Sequence, residues 1–141
     1  MQGTEKKQSR GMRNNNPLNI EHGEQWQGLA PTQSDRRFCQ FLSLEYGYRA
    51  AFIIIKNYLK KRPPVDTVSA IINRWAPPTE NDTQKYIAFV CKRAGLEPSR
   101  RLKWSEKNAL SRLIWAMAQF ETGEEQSLGR VENAYALANR S

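Results

Sequence analysis

The sequence predicts a mainly α domain of the α+β kind, in which about five helices follow a small N-terminal lobe of loop and β-hairpin. Three observations carry this. Beyond residue 43, apolar residues recur at i, i+3, i+4 and i+7 in successive segments. Those segments are separated by Pro63-Pro64, Pro77-Pro78, Gly95 and Gly123, residues that stop helices or close them in the left-handed conformation. From Arg13 to Ser43 the chain is instead rich in Asn, Gly, Pro and scattered aromatics, with no helical period. With 141 residues, 39% of them hydrophobic, there is material for one buried core rather than two.

Residues 1–12 are polar, charged and without periodicity, and read as a mobile basic arm ahead of a single domain over 13–141. Within the lobe, Ile20 to Trp26 is expected to form a hairpin turning at His22-Gly23, and Phe38 to Leu42 a further strand. Ser43 suits the N-cap of a first long helix, Leu44 to Lys61, which must end before Pro63-Pro64. Asp66 is expected to cap a short helix with Val68, Ile71, Ile72 and Trp75 on its buried face. Asn81 or Asp82 caps the next, which buries Ile87, Val90, Cys91 and Ala94. Ser105 opens a fourth, whose stripe is Leu110, Leu113, Ile114, Met117 and Phe120, and a fifth, 128–139, presents Leu128, Val131, Tyr135 and Ala138.

Composition narrows function. Two cysteines, Cys39 and Cys91, and a single histidine, His22, make neither a disulfide framework nor a zinc site, so no metal and no cofactor is expected. The longest apolar run, Ala50 to Ile55, falls far short of the roughly 20 residues of a membrane span. The N-terminus lacks the apolar stretch of a secretory signal, which predicts synthesis in the cytoplasm with no independent exit by the general secretory route. Lys and Arg number 22 against 14 Asp and Glu, a net charge of +8, which favours an anionic partner; nucleic acid and bacterial cell wall both qualify. The basic clusters form no stripe along one helix face, so non-specific attraction to polyanions is all that charge alone predicts.

Glu121 is the acid in the least ordinary place. Lying eleven positions after Leu110, it falls only about 20° from that residue around the helix, on the side of Ile114 and Met117. It also stands in the last turn, where the negative end of the helix dipole disfavours a further negative charge. Either the side chain frays outward into solvent, or desolvation and dipole together favour its protonated form, the environment a glycosidase's general acid needs. Glu45 belongs to the first turn of the long helix, where a carboxylate suits the dipole. Glu80 lies in the Pro77-to-Thr83 segment at a helix start, where capping is the competing task. Trp26, Tyr46, Trp75 and Tyr86 offer flat faces that would line a groove for sugar rings, although Trp75 and Tyr86 suit the core equally.

Arg10-Gly11-Met12-Arg13-Asn14-Asn15-Asn16-Pro17-Leu18-Asn19-Ile20, then Trp26-Gln27-Gly28, Asp35, Phe38, Phe41, Gly47-Tyr48-Arg49-Ala50 and Trp75-Ala76-Pro77-Pro78-Thr79-Glu80-Asn81-Asp82-Thr83, resemble the small phage and prophage virion-associated proteins related to peptidoglycan hydrolases. The resemblance covers roughly residues 10–125. Usual members carry Gly where Leu18 stands, which predicts an altered tight turn. A more distant resemblance is to bacterial N-acetylglucosaminidases of the lysozyme superfamily. These run from a helix ending Glu-Ser-Gly through an Asn-x-x-x-Ile strand, Trp-x-Gly, an aromatic strand, a long helix and a Tyr-Ala-Thr-Asp-x-x-Tyr segment. The later elements follow here in that order, while the acid-bearing helix is missing from the front and Phe120-Glu121-Thr122-Gly123 closes a helix near the other end.

The resemblance thus implies a circularly permuted lysozyme-like fold that cleaves β-1,4 bonds of peptidoglycan, as a muramidase, glucosaminidase or lytic transglycosylase. Glu121 would be the general acid, Glu45 or Glu80 a second carboxylate, and Asn19, Trp26, Tyr46, Trp75 and Tyr86 the substrate-binding residues. Carboxylates about 5 Å apart would mean retention, and 6.5–9.5 Å inversion. Peptidoglycan glycan strands and other virion proteins are the implied partners. The place of action is the periplasm or cell wall, reached after lysis, by export or in a virion. A non-enzymatic virion structural or cell-wall-binding protein on the same scaffold is the alternative, and a DNA-binding phage protein the third reading.

Overall fold

The computed structural model describes residues 8–140. Among these residues six helices follow one another: α1 (Arg10–Arg13), α2 (Leu44–Leu59), α3 (Val68–Trp75), α4 (Thr83–Ala94), α5 (Lys107–Thr122) and α6 (Leu128–Asn139). α2 packs most extensively on α6, and α5 on both α4 and α6. Of the predicted stripes, Leu110, Leu113, Ile114 and Met117 on α5 and Val131 and Ala138 on α6 are fully buried, while Phe120 and Leu128 at the stripe ends are only partly so; α2, for which no face was predicted, buries Phe52 and Ile55. Each such aliphatic or aromatic side chain contributes on the order of 1.5–3 kcal/mol by leaving water. One apolar core extends from Leu18 to Ala138 and takes in Ile20, Cys39 and Phe41 from the N-terminal lobe.

The helix stops behave as expected. Gly95 and Gly123 close α4 and α5 with φ of 69° and 68°. Asp82 caps α4, accepting from the Lys85 N–H, and Ser127 caps α6 in the same way with Arg130. Two caps differ from expectation. Thr67, not Asp66, caps α3 through the Ala70 N–H, because the Asp66 carboxylate is taken by Arg101 at 2.6 Å. α5 begins at Lys107 rather than at Ser105, with Glu106 as cap residue held by Arg100.

The expected five helices become six. α1 has only four residues, too few to show a period, and it forms because Ser9 caps it through the Met12 N–H. The segment read as an arm therefore divides. Residues 1–7 lie outside the described ones, whereas Ser9 to Met12 are built into the domain: Gly11 is buried and the Ser9 N–H donates to Glu124 at 2.6 Å.

The expected hairpin at His22-Gly23 does not form. Glu21 pairs with Phe38, and Leu29 with Phe41, each as a single antiparallel bridge. The reason lies in the asparagine run, whose side chains take backbone groups that a ladder would otherwise pair. Asn16 is wholly buried; its Nδ2 donates to the Ile20 and Cys39 carbonyls and its Oδ1 accepts the Ile20 N–H. Asn15 donates to the Phe41 carbonyl, and Asn14 to Asp35. Asp35 also takes both arms of Arg10 at 2.7 Å and the N–H groups of Arg37 and Phe38. The Arg10 guanidinium, then the Phe38 N–H, hold its carboxyl well below the usual carboxylate range.

Leu18 does lie in a tight turn, closed by the Asn19 N–H on the Asn16 carbonyl at 3.1 Å, but it does not take the left-handed conformation that favours glycine. The left-handed residues are its neighbours Asn15 and Asn19, at φ 52° and 54°, a conformation asparagine tolerates, while Leu18 is buried in the core. The lobe docks on α2 through Gly47, where a Cβ would collide with the Asn15 carbonyl oxygen.

Candidate active site

Glu121 ends α5 half-buried, between the lobe and α4. Its Oε1 accepts from Asn19 Nδ2 at 3.0 Å and its Oε2 from the Tyr86 hydroxyl at 2.9 Å. Burial pushes its carboxyl above the ordinary 4.5, and the Asn19 and Tyr86 donors draw it part of the way back, because both favour the ionised form. Tyr86 is almost fully buried on α4 with its ring against Phe120, 4.2 Å between centroids. Burial, then the adjacent Glu121, hold its phenol well above its ordinary value. Asn19 owes its reach to its left-handed backbone, with Gly11 of α1 directly behind it: a Cβ on Gly11 would stand 3.1 Å from Asn19 Oδ1.

Asn19 is also part of the wall of a cleft of about 650 Å³. The segment from Leu18 to Trp26 forms one wall, and the C-terminal half of α2 from Ile53 to Tyr58, with Lys61 in the turn after it and Trp75 at the end of α3, forms the other. Tyr58 and Trp75 meet edge to face at 6.5 Å, and Trp26 stands on the loop side. The Trp26 indole N–H has no acceptor among the described residues. The cleft is thus walled by aromatics and touches Glu121 through one shared side chain.

The structure brings together Glu121, Asn19 and Tyr86 by hydrogen bonds, and Asn19, Trp26 and Trp75 around the cleft. It places the remaining candidates elsewhere. Tyr46 covers Gly28, where a Cβ would overlap its ring, and it lines no part of the cleft. Glu45 forms a two-armed ion pair with Arg130, at 2.7 and 2.8 Å, joining α2 to α6; Arg130 lowers its pKa. Glu80 is exposed in the turn that follows Pro77. Neither shares a hydrogen-bond partner with Glu121.

Sequence reasoning missed Tyr58, Lys61, Glu21 and Glu24, all on the cleft. Only the helical spacing of Tyr58 after Ile54 was a usable signal, since Lys61 lies in the turn beyond the end of α2 and Glu21 and Glu24 lie on the loop facing it. Over 119 residues the chain is 38% identical to "Protein P5" of Pseudoalteromonas phage PM2, a match that spans 82% of this chain and 72% of that protein. No family model matches the sequence.

Proposed function

The chain belongs to the family of protein P5 of Pseudoalteromonas phage PM2, which supports a phage association, and from the Glu121 site we propose that it is a phage-encoded, lysozyme-like enzyme that cleaves the β-1,4 glycan of peptidoglycan. The observation that carries the reading is a single half-buried carboxyl, raised by desolvation, held by two protein donors and linked through Asn19 to an aromatic cleft. Glu121 lies against the asparagine loop although 102 positions separate it from Asn19, which supports the permuted order of elements.

Glu121 protonates the bridging oxygen and the C1–O bond breaks. The carboxylate left behind, steadied by Asn19 and Tyr86, takes a proton from the attacking hydroxyl. Water as attacker leaves a reducing end, and an internal sugar hydroxyl leaves an anhydro end. With Glu45 engaged by Arg130 and Glu80 exposed in a surface turn, a route needing one acid alone is favoured. The place of action is the cell wall, reached from a virion, by export or after lysis.

Mass spectrometry of purified peptidoglycan after digestion tests this. Wild-type protein is expected to produce new reducing or anhydro ends. Glu121→Gln keeps the side chain's shape without its transferable proton and is expected to lower the rate by about 100-fold or more. No products from the wild type would return the non-enzymatic reading on the same scaffold, and an unaffected variant would remove Glu121 from the site.

A further inference from the structure

The cleft is bipolar. Its loop wall carries two acids, Glu21 and Glu24, and the opposite wall carries Lys61 in the turn after α2, with Tyr58, Trp75 and Trp26 also lining the cleft. Arg37 lies 3.2 Å from Glu21 and answers its charge. Glu24 and Lys61 are exposed and have no ion-pair partner among the described residues, so one carboxylate and one ammonium face the same cleft unanswered. A neutral sugar chain would use the aromatic faces and leave both charges idle. A polyanion would gain from Lys61 and be repelled by Glu24. The ligand that satisfies all of the cleft carries both signs on a saccharide frame.

We propose that the cleft selects a peptide-substituted glycan, Lys61 taking a carboxylate and Glu24 an ammonium of the substituent while the saccharide lies against the aromatics. This rests on the glycan-cleaving reading of the site and narrows its substrate to glycan that still bears peptide. Because both charges are exposed, the selectivity is electrostatic and sensitive to salt. Neither residue belongs to the Glu121 site, so removing either changes binding without touching the acid.

The test compares two probes by the shifts of the tryptophan indole signals in NMR. One is a disaccharide-peptide from peptidoglycan with a free amine and a free carboxyl, and the other a neutral β-1,4-linked N-acetylglucosamine trimer. At low salt the wild type is expected to bind the first roughly tenfold more tightly, the equivalent of about one good charge-assisted contact. Lys61→Gln and Glu24→Gln are each expected to narrow the gap, and the double variant to bring the two affinities together. Equal affinities in the wild type, an undiminished preference in either single variant, or a preference surviving in the double variant overturn the bipolar assignment while the glycan reading stands. Binding of neither probe overturns both.

Discussion

Tyr86 reaches Glu121 from α4 with a hydroxyl donated to Oε2. Because that bond favours the carboxylate, Tyr86→Phe should move the titration of Glu121 upward, and the alkaline fall of the cleavage rate should move with it to higher pH. Rate profiles of the two proteins check this, and an unshifted limb would assign the fall to another group. Stability follows the same linkage with its own sign. Folding raises the carboxyl above 4.5, so its contribution is fully present below that value and is lost as pH rises through the raised one. Glu121→Gln should therefore unfold at a higher temperature than wild type near neutrality, and the gap should close on acidification. Glu121 was legible in the sequence because a residue's angle around a helix follows from counting. Its partners were not legible as partners, since Asn19 and Tyr86 meet it across 102 and 35 positions.

At the scale of elements, the five longer helices were legible from apolar spacing in α3 to α6 and from the proline and glycine stops that separate the segments. The short pieces were not. α1 is stabilised by what it touches: Arg10 binds Asp35, the Gly11 carbonyl accepts the Asn16 N–H at 2.8 Å, and the Ser9 N–H donates to Glu124. A chain beginning at Met12 loses all three. Its midpoint in thermal unfolding should fall by about 5 °C or more, since even one or two kcal/mol is worth that in a domain of this size. An unchanged midpoint would restore the reading of the whole segment as an arm. The hairpin failed for a related reason: a run of three asparagines offers the backbone partners that compete with strand pairing, and here tertiary contacts decided between them. Asp66 lost its capping role to Thr67 in the same way, by meeting Arg101 from a distant segment.

For the molecule as a whole, a net charge of +8 attracts any polyanion, but two acids on the cleft argue that this attraction is not its purpose. Binding to arbitrary duplex DNA should weaken at least about tenfold between 50 and 200 mM salt, whereas binding to neutral glycan should change little, because stacking on aromatics is not screened. Sequence-preferring DNA binding that survives the higher salt would bring back the nucleic-acid reading. The cleft itself was beyond the sequence, because its walls come from a loop and from the far half of a helix that only folding sets face to face. Their spacing is governed from a distance. The lobe seats its Asn15 carbonyl on Gly47, and α2 runs on from there for about 18 Å to Leu59. The helix is thus a lever whose fulcrum is a glycine: a tilt of about 5° at Gly47 would swing the Leu59 end by about 1.5 Å. Any side chain at position 47 would act as a wedge under the short arm and reset the width of the groove at the other end.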